Sequence, residues 1–220
     1  MASCPMKRGL LITFDGPEGC GKTTQAKMLA QVLKKKGCPV VLTRDPGGAP
    51  IAEEIRGLLL NHDYPNLGPL SEMLLYETCR ASLVEEVILP ALRKGKIVIS
   101  DRFSDATLVY QGMAGGIPES LIREIDRRVC RGLVPDITFI LDVAPRVGLK
   151  RLSRQRSFDR MEGKPLRFHN AVRRGYRRLA KRNPKRIRWI PAGSAAKVRE
   201  KISEEMTRVF QRHFGAACCR

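Results

Sequence analysis

The chain has 220 residues, 43% of them hydrophobic and only 5% aromatic, with no repeat, low-complexity tract or linker, which suits one domain (1–220) with an aliphatic core. No apolar run approaches the roughly 20 residues that cross a bilayer, and "MASCPMKRG" leads into a strand without a cleavable apolar segment, so a soluble, cytoplasmic protein is expected. A net charge of +19 attracts anionic partners, nucleotide or nucleic acid, while seven dispersed cysteines without CxxC or histidine partners indicate reduced thiols rather than a disulfide or zinc framework.

The first strand candidate, "LLITFDG" at 10–16, runs into "GPEGCGKT" and then a helical pattern at 22–36. This is G-x-x-x-x-G-K-[ST] in the strand–loop–helix context that the pattern needs. Gly16, Gly19 and Gly21 let the backbone curl so that successive N–H groups, those of Pro17's neighbours and Cys20 included, face one anion, and the helix adds its positive end. Lys22 then reaches the β- and γ-phosphates, the Thr23 hydroxyl meets Mg²⁺, and Thr24 completes a site for ATP or GTP. Glu18 stands out as a carboxylate inside an anion-binding loop; turned away from the phosphates it would suit a sugar hydroxyl on a second substrate. Cys20 lies in the same loop, so oxidation or alkylation there is expected to block ligand binding.

The second strand, "PVVLTRDPGG" at 39–48, ends in a stiff turn with Arg44 and Asp45, followed by helical patterns at 50–60, where Arg56 lies, and 69–94. The third, "KIVISDRF" at 96–103, places Asp101 where a magnesium-orienting acid stands, and Arg102 beside it can fork onto a phosphate. A helix at 118–131 precedes the fourth strand, "DITFILDVAP" at 136–145, and helices at 146–156 and 166–182 follow. "RIRWIPA" at 186–192 is a fifth strand, ahead of a last helix at 194–213 and an expected loose tail at 214–220. Short apolar strands alternating with helices predict an α/β fold, a parallel sheet covered on both faces, with ligands at the carboxyl ends of the strands.

These segments together resemble the thymidylate kinase family. GPEGCGKTTQ matches its G-x-E-G-x-G-K-T-T-Q loop, TRDPGG its T-R-[ED]-P-G-G turn and DRFSDATLVYQG its D-R-[FY]…Y-Q-G segment; the likeness runs from about residue 9 to 192 in matching order. The resemblance implies a three-layer P-loop kinase fold with a five-stranded parallel sheet, a homodimer, and transfer of the γ-phosphoryl group of ATP to dTMP with Mg²⁺. Carried over by position, it implies that Glu18 meets the deoxyribose, Arg56 and Arg102 hold the 5′-phosphate, and Tyr76 stacks on the thymine while Arg80 reads its edge. Asp45, Thr107, Tyr110 and Gln111 would complete the pocket, with Thr23 and Asp101 at the metal. The helical spacing agrees, since Tyr76 and Arg80 are four apart on one face. The sequence departs from the family pattern at Asp45 (Glu is more usual), Tyr76 (Phe), Ala106 (Ser) and Val109 (Ala).

The resemblance is to the bacterial type with lid arginines, because the loop position where some members carry Arg is Gly19 here. Bringing two anionic phosphates together then needs cations from elsewhere. The source expected is "KRLSRQRSFDRME" within a lid at about 146–163, with Arg154 on the transferring group, Arg151 and Arg156 beside it, and Asp159 and Glu162 anchoring the closed state. A phosphate acceptor is already an anion, so no general base is expected. Two alternatives are a kinase for another nucleoside monophosphate or deoxynucleoside, and a basic P-loop ATPase on nucleic acid. No nucleic-acid motif accompanies the charge, and that second alternative leaves the acceptor-side residues unexplained.

Overall fold

In the computed structural model, which describes residues 8–214, the chain begins at the centre of its sheet. Strand β1 (Leu11–Asp15) is buried at every position, as a strand covered on both faces must be. Helix α1 (Lys22–Lys35) returns to β2 (Val40–Arg44), the half-exposed edge strand. Helices α2 (Pro50–Leu60), α3 (Pro69–Leu83) and α4 (Leu89–Arg93) precede β3 (Ile97–Asp101). A short α5 (Ser104–Thr107) and α6 (Glu119–Val129) lead to β4 (Ile137–Leu141), then α7 (Pro145–Ser153), α8 (Leu166–Arg182), β5 (Ile187–Ile190) and α9 (Ala195–Phe214).

The five strands are all parallel, in the order β2-β3-β1-β4-β5, so β1 lies between β3 and β4. The pleat alternates along β1: Ile12 and Phe14 pack with Ala26, Leu29 and the α9 residues Ile202 and Met206, while Leu11 packs with Leu83, Val84 and Ile88 on the opposite face. Helices therefore cover both faces, and the core is aliphatic apart from a few rings such as Phe14 against Phe139 at 5.3 Å. The carboxyl ends of β1, β2 and β3 come side by side, through Phe14 opposite Asp101 and Arg44 opposite Asp101. This gathers the three polar turns at one edge, where α/β sheets bind ligands.

The region expected as one helix over 69–94 is helical throughout, but a π-helical turn at Val84–Ile88 separates α3 from α4. A second π-helical turn, Leu108–Met113, was not expected; its register is set by the i→i+5 bond from Ala114 N–H to the Val109 carbonyl. No helix of the described residues is long and apolar enough to cross a membrane. Cys4, Cys218, Cys219 and all but Phe214 of the expected tail lie outside the described residues.

Candidate active site

The phosphate loop owes its shape to backbone conformations that only glycine takes freely: φ is 142° at Gly16, 68° at Gly19 and 92° at Gly21. Gly21 caps α1 without any side-chain hydrogen bond, so the first N–H groups of the helix stay open to an anion. Glu18, Gly19, Gly21, Lys22, Thr23 and Thr24 line a cavity of about 460 Å³. Gly16, Pro17 and Cys20 shape the loop from behind; the Pro17 carbonyl accepts from Lys22 Nζ at 3.5 Å. Burial pushes the Cys20 thiol above its ordinary range despite the nearby Lys22 and Arg102 charges.

At the end of β3 the Thr23 hydroxyl donates to Asp101 Oδ2. The other oxygen, Asp101 Oδ1, is buried without a hydrogen-bond partner. Among the described residues no group of three or more His, Cys, Asp or Glu could hold a metal. A hard divalent cation shared with substrate phosphates needs only one or two protein oxygens, so a hydroxyl beside an orphaned carboxylate oxygen fits magnesium.

Arg102 follows directly and carries backbone strain, with φ 71° in a non-glycine residue, a conformation costing on the order of 1–3 kcal/mol. Its N–H donates to the Phe14 carbonyl at 2.8 Å, and the Ser100 hydroxyl donates to the Arg102 carbonyl at 2.7 Å, which pins Arg102 there. The guanidinium is then aimed inward. Nη2 donates to Glu18 Oε1 at 2.6 Å and to Tyr110 Oη at 3.1 Å, while Nη1 donates to the Gly16 carbonyl at 3.2 Å and Tyr176 Oη at 3.1 Å. The Tyr110 hydroxyl also donates to Glu18 Oε1, at 2.7 Å, and Tyr176 donates to Asp15 Oδ1 at 2.9 Å.

Two carboxylates in this cluster are driven in opposite directions. Burial alone would raise Glu18, but Arg102 and Lys22 overcome it and hold the carboxyl at about 2. Asp15, fully buried and farther from these cations, is raised by burial to about 8 and is neutral at pH 7. Glu18 was expected to turn toward a sugar hydroxyl on the second substrate. Its partners, however, are Arg102, Tyr110 and Lys22, so its direct work in this structure is to orient two of the residues assigned to the acceptor.

The acceptor side of the same cavity is lined by Arg56, Tyr76, Arg80, Thr107, Tyr110 and Gln111, with Ala106 at its wall. Arg56 Nη1 donates to the Pro46 carbonyl at 2.7 Å. Arg80 lines the cavity from within a dense set of acids. It was expected to give its guanidinium to a base, yet it is only 1% exposed. It donates to Asp45 Oδ2 (2.7 Å), Glu77 Oε1 (2.7 Å), Asp126 Oδ1 (3.3 Å) and Thr107 Oγ1 (2.7 Å). Of its five N–H donors one, on Nη2, is left for a ligand. Asp45 likewise acts by holding Arg80, although it reaches the cavity wall. Glu77 and Asp126 were missed by the sequence reading, and burial raises Glu77 to about 7 against the Arg80 charge.

On the lid side, Arg151 reaches the cavity and its Nη1 donates to the Gly19 carbonyl at 3.5 Å. Arg156 also lines the cavity and is held in a two-pronged pair with Glu162, at 2.8 and 2.7 Å. Asp159 Oδ1 accepts from the Met161 and Glu162 N–H groups, both at 2.9 Å, which fixes that turn. Arg154, expected on the transferring group, is exposed and does not line the cavity. α7 ends at Ser153 with Arg154 as its C-cap, and the residues around that end that line the cavity are Arg151, Leu152, Gln155 and Arg156.

The lid helix packs on the phosphate loop backbone to backbone. A Cβ on Gly148, in the first half of α7, would lie 2.0 Å from the Glu18 carbonyl oxygen, and one on Gly19 would lie 2.2 Å from the Gly148 carbonyl oxygen. That contact explains the glycine at position 19: a side chain there has no room.

Comparison with known proteins agrees with this geometry. The thymidylate kinase family model matches residues 14–202. The thymidylate kinase of Pelotomaculum thermopropionicum is 45% identical over 192 residues, covering 87% of this chain and 89% of the relative. That of Symbiobacterium thermophilum is 40% identical over 212 residues, covering 96% and 99%. The crystal structure of thymidylate kinase from Ehrlichia chaffeensis superposes with a TM-score of 0.75 at 35% identity, over 91% of this chain and 99% of the other.

Proposed function

This chain belongs to the thymidylate kinase family and is a nucleoside monophosphate kinase; on that premise we propose that it transfers the γ-phosphoryl group of ATP to dTMP, giving ADP and dTDP for dTTP synthesis. The observation that carries this reading is the single cavity in which a phosphate loop faces Arg102, Tyr76, Arg80 and Gln111. The loop N–H groups and Lys22 hold the ATP phosphates, and Thr23 with Asp101 would hold magnesium, which would supply positive charge against the phosphates. Arg102 and Arg56 hold the acceptor phosphate in line with the donor, Tyr76 covers the base face, and Tyr110 fills the sugar side. Arg151 closes over the transferring group in place of an arginine in the loop. No side chain has to take a proton, because the acceptor oxygen is already anionic.

We place the enzyme in the cytoplasm, as a homodimer. Leu70 and Leu74, 52% and 45% exposed, lie four apart on α3, and Ile51 and Leu58 on the adjacent α2 are 50% and 44% exposed. These are apolar surface residues that a second copy would cover. The lid is the segment at about 146–163 of a one-domain chain.

The test is coupled ADP release with Mg-ATP against dTMP, dUMP, dCMP, dGMP, AMP and thymidine. Turnover chiefly with dTMP supports the reading. Preference for another monophosphate would overturn the base pocket, and absence of acceptor-dependent turnover would overturn the kinase assignment.

A further inference from the structure

Glu72 takes no part in the site as described, and it does not line the cavity. It lies one turn into α3, 3% exposed, with its carboxylate directly behind Gln111. Gln111 Nε2 donates to Glu72 Oε1 at 2.9 Å. Arg160 Nη1 approaches Glu72 Oε2 at 2.6 Å, and Lys164 Nζ lies 3.3 Å from both oxygens. Arg160 is itself fixed, its Nε donating to the Leu59 carbonyl at 2.8 Å. Two cations balance one carboxylate, and the carboxylate has only acceptor lone pairs to offer.

We infer that Glu72 is the positioning residue that sets which bases the pocket accepts. An acceptor-only neighbour forces the Gln111 amide to turn its NH₂ backward, so its carbonyl oxygen faces the cavity. Beside it, Arg80 keeps one free Nη2 N–H, the others being committed to Asp45, Glu77, Asp126 and Thr107. The pocket therefore offers an acceptor and a donor. Thymine and uracil present the complement, an N3–H and a carbonyl oxygen. Cytosine presents the reverse, an N3 lone pair and an amino group, and meets acceptor against acceptor. Nothing in this pair distinguishes thymine from uracil. The inference rests on the dTMP kinase reading, and it names the residue that enforces imide selection within it.

The experiment compares kcat/KM for dTMP, dUMP and dCMP in the wild type and in Glu72→Gln. The new amide can donate as well as accept, so Gln111 is released to flip. The dTMP-to-dCMP ratio is then expected to fall by about tenfold or more, the worth of one buried polar mismatch, while the dTMP-to-dUMP ratio stays within about twofold. Glu72→Asp keeps the charge for Arg160 and Lys164 but falls short of Gln111, and it should move the ratios in the same direction. Equal losses on all three substrates, an unchanged dTMP-to-dCMP ratio, or loss of the folded state in both variants would show that Glu72 serves the fold alone and overturn the inference. A wild type that does not prefer dTMP would instead overturn the reading on which it rests.

Discussion

The contact between Gly148 and Glu18 offers a test of the site that involves no chemical group at all. Gly148→Ala adds one methyl to a helix, where alanine is intrinsically favoured over glycine by on the order of 1 kcal/mol. On propensity alone the variant should be more stable. The structure says otherwise, because the new Cβ would sit 2.0 Å from the Glu18 carbonyl oxygen and 3.1 Å from its carbon, against the 3.0 Å or more that real Cβ atoms keep. Both contacts are to backbone, so no side-chain rotation relieves them; either α7 or the phosphate loop must move by about 1 Å, at a cost of roughly 1–3 kcal/mol. A displacement of that size in a loop that aligns a phosphoryl group costs on the order of 100-fold in rate. Steady-state kinetics varied in ATP, together with a thermal melt, would measure both. The expected result is a kcat/KM for ATP lowered by about two orders of magnitude with a melting temperature equal to or below wild type. A variant that melts higher and retains its ATP kinetics would refute the idea that the lid helix positions the loop.

Arg151→Ala should lower kcat by at least about tenfold with little change in KM for dTMP, as expected for a contact made mainly in the transition state, whereas Arg154→Ala should leave kcat within about twofold; the reverse order would restore the assignment made from the sequence. Asp15→Asn tests the buried acid. Because the folded carboxyl titrates near 8 rather than 3.8, the folded state holds the proton more tightly, and wild-type stability is lost as pH rises between those values. The slope assigned to this one group is up to about 1.4 kcal/mol per pH unit, and the asparagine variant should lack it; identical melting profiles from pH 5 to 8 for the two proteins would refute the shift. Glu18 has the opposite sign: its folded value near 2 against 4.5 contributes stability that is present above pH 4.5 and lost as pH falls toward 2. Glu18→Gln should therefore flatten acid unfolding over that window and lower kcat, because Arg102 and Tyr110 lose their shared acceptor; an unaltered acid limb would count against the buried Lys22–Glu18–Arg102 arrangement.

How much of this was legible in the sequence depended on whether a residue's role is local. The five strands could be read because each is a short apolar run closed by a polar turn, and the phosphate loop because its glycines, Lys22 and Thr23 act within eight residues. The helical stretch from Ser104 to Met113 could not be read. Residues 103–112 are all buried, so no amphipathic stripe exists, and i→i+5 bonding shifts the period that a helix search relies on. Yet that stretch presents Thr107, Tyr110 and Gln111 to the cavity. Tyr176 was missed for another reason: with Val172 and Leu179 it follows a core stripe, and only the fold reveals Asp15 opposite its hydroxyl. The basic run from 146 to 188 divides by partners that only the fold supplies. Arg173, Arg182, Arg186 and Arg188 pair with Asp142, Glu119, Asp105 and Glu205, acids far away in the sequence, while Arg151 and Arg156 reach the cavity.

The carboxylate in the anion-binding loop, the least expected feature of the sequence, has a physical account in these contacts. Lys22 and Arg102 are both largely buried and raise each other's energy when charged, since Arg102 acts to lower the Lys22 pKa. Two such cations cannot wait side by side for substrates without a counter-charge. Glu18 supplies it, 3.5 Å from Lys22 and 2.6 Å from Arg102, and the strained backbone of Arg102 keeps the arrangement from relaxing into a different pairing. The cations are thus oriented before any phosphate arrives, and they need not reorganise when charge spreads over the transferring group. Asp15 would spoil this balance if it too were ionised, and full burial keeps it neutral instead, outweighing the Tyr176 hydrogen bond that favours its charged form. One acid is held charged between the two cations and its neighbour uncharged behind them, so the loop keeps a net positive face toward its ligands.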